Sequence, residues 1–269
     1  MKTVNIKATT LSDAWFQAVY KCLEVGRDFT IDRGSYKGDK RLEFDHITIQ
    51  IQEPWHEPLL PKIPETYNLP DPVEEGYVDE YLPYLMTGEI AEGESYTYGS
   101  RLNKAHINND WIEKEYRENE LKEILIQEHE VWKNKNIIGF DEEWDSILSQ
   151  VELLIWTYKN KGVRNNQMVL QVAQPDDMLL QDPPCLRHID TRIQDDKLHF
   201  FPYFRSWDLW GGFPANLAAI ELMKQYIAGE IGVGNGQIIA ASKGLHLYSY
   251  VWELAEIIRG KTIEEFRKG

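Results

Sequence analysis

Apolar residues recur every three or four positions in several stretches of the chain, which predicts helices with one buried face. The first of these helices begins after Thr10, which is a capping residue, and ends at Gly26. The segments predicted to be helical are 10–24, 78–86, 110–135, 142–158, 214–228 and 245–259.

Other stretches alternate apolar and polar residues, which predicts strands with one buried face. The predicted strands are 41–52, 168–173, 186–193, 198–204 and 237–241, and a turn at 194–197 joins two of them into a hairpin. Prolines between 53 and 72 predict an extended surface loop. Because helices and strands interleave irregularly, we predict an α+β fold with a single domain over residues 1–269.

Composition narrows the classes of function. The 269 residues carry a net charge of −15, which disfavours nucleic-acid binding through a broad basic face. Two distant cysteines, Cys22 and Cys185, indicate a reducing compartment rather than a disulfide framework. Without an apolar run long enough to span a bilayer, or an apolar leader, we expect a cytoplasmic protein with no membrane partner.

A candidate nucleophile follows two prolines at the start of a predicted strand. Cys185 stands after Pro183 and Pro184, at a strand edge where a thiol is more often accessible than in the middle of an element. The predicted hairpin returns Arg205 towards it, and a guanidinium favours a thiolate. From the spacing alone, a buried and inert cysteine remains the alternative.

A second candidate group follows a pair of glycines. Asn216 lies near the start of a predicted helix, where a carboxamide either bonds local backbone or offers one donor and one acceptor to an imide such as uracil. His246 and Tyr248 add two hydrogen-bonding side chains two positions apart. The seven histidines and two cysteines show no metal-ligand spacing, so we predict no metal site.

Together these segments resemble the thymidylate synthase superfamily, which includes the pyrimidine nucleotide hydroxymethylases. The resemblance is specific over residues 168–249 and faint over 53–150. Four blocks carry it, in the family's order: Pro183-Pro184-Cys185, Arg205-Ser206-Trp207-Asp208, Gly212-Phe213-Pro214-Ala215-Asn216-Leu217-Ala218 and His246-Leu247-Tyr248-Ser249. The implied fold is a mixed, twisted β-sheet flanked by helices.

The resemblance implies a role for each matching residue at the phosphate end of the substrate. Cys185 would attack C6 of a pyrimidine nucleotide, and Arg205 and Ser206 would hold the 5′-phosphate. Arg33, in the turn 32–35, would be a second phosphate ligand. The family is homodimeric and lends arginines across the interface, for which Arg164 is the nearest candidate.

For the rest of the substrate, the resemblance implies that Asn216 contacts N3–H and O4 of uracil. His246 and Tyr248 would contact the sugar 3′-hydroxyl, and Asp208 would bond the pterin ring of the co-substrate. Asparagine favours uridylate, because relatives that act on cytosine tend to carry aspartate there.

Proton transfer in the family uses a glutamate and a tyrosine. The match to the glutamate is Glu80, although its gap is one residue off and Pro83 is unexpected. Tyr98 matches the tyrosine that helps to remove the C5 proton. Glu74, Glu75 and Asp79 remain alternatives to Glu80.

The implied activity is C5 methylation of dUMP to dTMP by a covalent Cys–C6 adduct. The co-substrate would be a reduced pterin, either 5,10-methylenetetrahydrofolate or methylene-tetrahydromethanopterin. Hydroxymethylation of (d)UMP or (d)CMP is the first alternative, since the chain lacks the family's usual C-terminal tail, which excludes water. A non-catalytic nucleotide-binding relative is the second.

Overall fold

The computed structural model describes residues 1–32, 36–107, 122–140 and 146–267. Its α-helices are α1 (Leu11–Val25), α2 (Tyr77–Met86), α3 (Tyr98–Asn103), α4 (Lys122–Asn134), α5 (Gln150–Lys161), α6 (Gly212–Ile231), α7 (Trp252–Arg259) and α8 (Ile263–Arg267). Short 3₁₀ helices cover Glu65–Tyr67, Pro175–Leu179 and Ser249–Val251.

The strands come in thirteen short segments within these ranges. They are β1 (Thr3–Ala8), β2 (Arg27–Thr30), β3 (Lys40–Glu43), β4 (His46–Ile51), β5 (Ala105–Ile107), β6 (Ile138–Phe140), β7 (Ser146–Leu148), β8 (Val169–Gln171), β9 (Leu186–Gln194), β10 (Lys197–Phe204), β11 (Trp207–Asp208), β12 (Gly234–Ser242) and β13 (Leu245–Tyr248).

The largest sheet is mixed, with the strand order β1-β4-β12-β10-β9-β8. Two of its neighbouring pairs are parallel, β1 with β4 and β10 with β12, and the other pairs are antiparallel. Two smaller sheets have the orders β11-β13-β3-β2 and β5-β7-β6. Mixed sheets flanked by helices confirm the α+β fold predicted from the sequence.

The core lies between the six-stranded sheet and helices α1 and α6. Along β10 every second side chain is buried, and Phe200 and Phe204 are fully enclosed. Trp15 of α1 is also fully buried, and its indole N–H donates to the carbonyls of Leu209 and Trp210, each at 3.0 Å. The core therefore holds the loop before α6 in place.

The first predicted helix is confirmed as α1. Its cap is Thr10, whose hydroxyl accepts a hydrogen bond from the backbone N–H of Asp13 at 3.1 Å. The prediction for 214–228 is likewise confirmed by α6, which extends it by two residues at one end and three at the other.

The single strand predicted over 41–52 is in fact two strands. The buried set shifts phase between Leu42 and Phe44 on one side and Ile47, Ile49 and Ile51 on the other. Because strand side chains alternate with a period of two, this odd step requires a break in the strand. The break sends β3 and β4 into different sheets.

Two helix predictions are wrong at their N-terminal ends. Residues 245–248 form β13, which pairs with β3 and β11, so the helix predicted over 245–259 starts only at Trp252. Within 142–158, residues 146–148 form β7 and the helix starts at Gln150. Of the helix predicted over 110–135, α4 confirms Lys122–Asn134, and 110–121 lies outside the described residues.

The start of α3 lies directly against the end of α2. A Cβ at Gly99 would stand 2.1 Å from the carbonyl oxygen of Thr87 and 2.3 Å from that of Tyr84. Neither contact can be relieved by rotating a side chain, because both partners are backbone atoms. Helices α2 and α3 therefore keep their spacing only with glycine at position 99.

We predict that Gly99→Ala lowers the free energy of unfolding by about 1–3 kcal/mol, since overpacking forces backbone shifts. Urea denaturation checks this value. The matched control is Gly229→Ala inside α6, where a Cβ meets no atom within 4 Å and alanine is the better helix former. Equal stabilities of the two variants would contradict the prediction.

Candidate active site

The pairing of β9 with β10 brings the two main candidate residues together. Phe204 pairs with Leu186, and the backbone N–H of Arg205 donates to the carbonyl of Cys185 at 2.8 Å. The turn at 194–197 sets the register as far as Tyr203, and a one-residue shift between Tyr203 and Phe204 then brings Arg205 opposite Cys185. The sequence argument that the hairpin returns Arg205 to Cys185 is therefore correct.

The guanidinium of Arg205 is held against the segment that precedes the thiol. It donates from Nε to the carbonyl of Pro184 at 3.2 Å and from Nη2 to the carbonyl of Pro183. The same Nη2 forms an ion pair with Asp182 at 3.2 Å, and the Asp182 side chain is 94% exposed. An exposed partner of this kind is readily exchanged for another anion.

The environment of Cys185 has opposing effects on its ionisation. Burial raises the pKa of the thiol, Arg205 and Arg187 lower the pKa, and Asp182 raises it again. The net direction is upward, although Arg205 favours the thiolate as the sequence argument expects. The physical reason is that removal of water from the thiol outweighs the nearby positive charge.

Asn216 is clamped at both ends of its carboxamide. The indole N–H of Trp207 donates to Asn216 Oδ1 at 3.0 Å, and Asn216 Nδ2 donates to the hydroxyl of Tyr81 at 3.0 Å. The side chain is half-buried. These bonds orient the carboxamide before any ligand arrives.

Asp208 organises the loop that leads into α6. Its carboxylate accepts backbone hydrogen bonds from Trp210 at 3.2 Å, Gly211 at 3.0 Å and Gly212 at 2.9 Å. A carboxylate has about four acceptor positions, so one is left for a ligand. Asp208 is half-buried, which leaves that position reachable.

His246 carries a polar atom without a partner among the described residues. Its Nδ1 lies 2.8 Å from the carbonyl of Gly244, which can only accept, so Nδ1 bears the hydrogen. The other ring nitrogen, Nε2, is buried and unbonded. Burial lowers the pKa of His246 to about 4, so the ring is neutral and Nε2 is free to accept a hydroxyl hydrogen.

Tyr248 belongs to a group of aromatic rings next to His246. Its ring centroid lies 4.6 Å from that of Tyr36, 5.6 Å from that of Tyr250 and 4.6 Å from the imidazole of His246. Tyr250 is 60% exposed, so the group reaches the surface.

Helices α2 and α3 contribute phenol groups near the thiol. The hydroxyl of Tyr98 accepts a hydrogen bond at 3.2 Å from the backbone N–H of Leu186, the residue after Cys185. Burial and the neighbouring Cys185 raise the pKa of Tyr98. On α2 the side chain that reaches this cluster is Tyr81, while its neighbour Glu80 is exposed.

Three predicted residues remain: one adjoins this cluster, one lies in an exposed loop and one lies outside the described residues. Ser206 is half-buried, directly after Arg205. Arg164 lies in the exposed loop between α5 and β8. Arg33 lies outside the described residues, and the parts of the chain that are described hold no metal-binding group of histidine, cysteine and acidic residues.

Three residues of the site went unnoticed in the sequence. Asp182 precedes the two prolines, Trp207 lies inside the block that contains Arg205, and Tyr81 follows Glu80. Trp207 lies in one of the four blocks that carry the resemblance, and Asp182 directly precedes another. Tyr81 could not be identified in this way, because the residues of α2 that face the site depend on the rotation of the helix about its axis, which spacing alone does not determine.

Comparison with known proteins identifies the family of the chain. The family model "Thymidylate synthase" matches residues 91–265, so the chain belongs to the thymidylate synthase family. Proteins named "Putative thymidylate synthase" from Methanosarcina acetivorans and Methanococcoides burtonii are 26% and 27% identical to it, each over 95% of this chain and 94% of theirs. The "Thymidylate synthase" of Listeria innocua is 30% identical over 46% of this chain and 43% of its own.

Among the described helices, none combines the length and apolar character that a bilayer crossing requires.

The opposing charges around Cys185 predict opposite effects of two substitutions on its alkylation. Arg205→Gln removes a charge that lowers the thiol pKa, so iodoacetamide should react several-fold more slowly near pH 8. Asp182→Asn removes a charge that raises the pKa and should accelerate the reaction. Profiles of alkylation rate against pH, measured by mass spectrometry, check both effects. Cys22 is fully buried and should stay unmodified, which shows that the protein remains folded. Faster alkylation of the Arg205 variant would contradict this account.

Proposed function

We propose that the chain methylates C5 of dUMP to give dTMP, with a methylene-carrying reduced pterin as co-substrate. Membership of the family supports the class of reaction. Two contacts carry the proposal: the backbone of Arg205 bonds that of Cys185, and Tyr81, which accepts a hydrogen bond from Asn216, lies close enough to Cys185 for the thiol to raise its pKa.

In the proposed reaction Cys185 is the nucleophile. The thiol loses its proton to water, Sγ forms a bond to C6, and the electron pair of the C5–C6 double bond moves onto C5 and O4. Carbon C5 is then nucleophilic. Burial raises the pKa of the free thiol, and Arg205 and Arg187 favour the thiolate that attacks C6.

The 5′-phosphate would bind at Arg205, where it displaces the exposed carboxylate of Asp182. Bidentate contact suits a guanidinium and a phosphate, and it concentrates positive charge locally in an acidic chain. Ser206 would donate to the same phosphate. Arg33 and, from a second copy of the chain, Arg164 complete the proposed phosphate site.

The base and sugar would be held by side chains whose free positions match them. Asn216 keeps one acceptor and one donor position for N3–H and O4 of uracil. The unbonded Nε2 of His246 suits the hydrogen of the sugar 3′-hydroxyl, with Tyr248 beside it.

Proton transfer at C5 is assigned to Tyr98. Once the one-carbon unit is on C5, the Tyr98 hydroxyl helps water to take the C5 proton. The electron pair of that C–H bond would release the carrier from the one-carbon unit. Once hydride has added to that carbon, the C5–C6 double bond would re-form as the Sγ–C6 bond breaks and returns its electron pair to sulfur. The glutamate match, Glu80, stays a prediction for the proton shuttle at O4.

The residues around Asp208 fit a pterin. Its carboxylate has one acceptor position left after bonding the 210–212 backbone, and that position suits an N–H of the ring. When bound, a methylene-carrying pterin supplies the one-carbon unit and the hydride that reduces it to methyl.

We also propose a homodimer in the cytoplasm. One face of the six-stranded sheet carries half-buried side chains, among them Phe201, Tyr203 and Ile239, which a second copy would cover. A phosphate ligand from a partner subunit requires a second copy of the chain.

The proposal predicts a covalent complex of the chain with 5-fluoro-dUMP and either methylene carrier, because fluorine at C5 cannot leave as a proton. Mass spectrometry should locate it on Cys185. Cys185→Ser should lose the complex entirely, and Cys22→Ser, the matched control, should keep it. Absence of a complex at saturation would contradict the proposal.

Product mass separates the related activities. With dUMP and the carrier, the expected product carries a methyl group on C5. A hydroxymethyl product would assign the chain to hydroxymethylation instead.

A further inference from the structure

Asn216 alone does not distinguish uracil from cytosine. Uracil presents a donor at N3 beside an acceptor at O4, whereas cytosine presents an acceptor at N3 beside a donor at N4. A carboxamide offers an acceptor beside a donor, and rotation of its plane by a half-turn reverses their order. Selection between the two bases therefore requires something that fixes the rotation.

Trp207 lies next to the carboxamide and can only donate a hydrogen bond. Its indole N–H points to Asn216 Oδ1 at 3.0 Å, and the indole has no acceptor with which to adapt. If the carboxamide turned over, Nδ2 would face the indole and two donors would meet. A buried donor without an acceptor is strongly unfavourable, so the turned state is suppressed.

The indole itself cannot move away. Trp207 is 3% exposed and lies parallel to Phe204, with ring centroids 3.8 Å apart and an angle of 5° between the planes. Phe213 packs against the indole as well, with centroids 4.7 Å apart. Phe204 and Phe213 are both fully buried, so the donor is fixed by the core.

Tyr81, the other neighbour of the carboxamide, can form a hydrogen bond with it in either orientation. Tyr81 lies 3.0 Å from Asn216 Nδ2, and a hydroxyl both donates and accepts. Trp207 therefore determines the orientation of the carboxamide. One lone pair on Oδ1 and one N–H on Nδ2 stay available to bond a ligand. That edge complements uracil and opposes cytosine.

We infer that Trp207 is a specificity-determining residue, which locks the Asn216 carboxamide in the orientation that binds a uracil nucleotide and rejects a cytosine nucleotide. The inference rests on the proposed function, since it takes the Asn216 edge as the site for the base. Trp207 is a positioning residue, because it acts on the base through Asn216.

The test compares dissociation constants for dUMP and dCMP by calorimetry. Wild-type protein should prefer dUMP. Trp207→Phe keeps an aromatic ring but removes the donor, so the preference should fall about tenfold or more as the carboxamide turns freely. Phe213→Leu, the matched control, loosens the same aromatic cluster and keeps the donor, so it should retain the wild-type preference.

The outcomes separate failure of the inference from failure of the proposed function. If the wild-type protein binds dUMP selectively and Trp207→Phe keeps the same ratio, the inference is wrong and the function stands. If the wild type binds neither nucleotide, the proposed function fails and the inference falls with it. Loss of preference in Phe213→Leu as large as in Trp207→Phe would also overturn the inference, since packing alone would explain it.

Should Trp207→Phe fail to fold, an isosteric benzothienyl side chain at position 207 replaces the N–H by sulfur and keeps the ring shape. Its dUMP-to-dCMP ratio is expected to fall in the same way. An unchanged ratio would overturn the inference.

Discussion

The site depends on one backbone hydrogen bond, from the N–H of Arg205 to the carbonyl of Cys185. This bond lies one step beyond the paired Leu186 and Phe204, after a one-residue shift in the register of β9 and β10 between Tyr203 and Phe204. A slip of one residue would turn every side chain of a strand to the opposite face. The register therefore determines that Arg205 lies beside Cys185. The buried alternate residues of β10 make that slip costly.

Burial and the nearby arginines have opposite effects on the pKa of Cys185. The core places Cys185 where burial raises its pKa, while Arg205 and Arg187 partly compensate. The pKa of the thiol in the free protein is therefore raised overall, with the two arginines opposing the effect of burial. Asp182, exposed and paired with Arg205, is the group that an anionic substrate would replace.

The sequence was sufficient for the parts of the site that local rules determine. The four-residue turn at 194–197 and the alternation on each side predicted the hairpin, and the hairpin predicted the approach of Arg205 to Cys185. The segment 245–248 was misassigned because its apolar residues also fit a helical spacing. Only the neighbouring strands β3 and β11, distant in sequence, decide for a strand there.

Three features could not be obtained from spacing. Neighbouring residues on a helix point about 100° apart, so a one-residue uncertainty along α2 decides whether Glu80 or Tyr81 faces the thiol. The hydrogen bond from Trp207 to Asn216 joins residues nine apart, and it exists because Phe204 and Phe213 hold the indole in place. Likewise the balance between burial and charge at Cys185 is a property of the assembled core.

The most direct test of the central claim is release of tritium from dUMP labelled at C5, in the presence of a methylene-carrying pterin. The account predicts release by the wild-type chain and none by Cys185→Ser, because the C5 proton becomes labile only after sulfur has added to C6. Nucleotide binding without any release by the wild-type chain would contradict it.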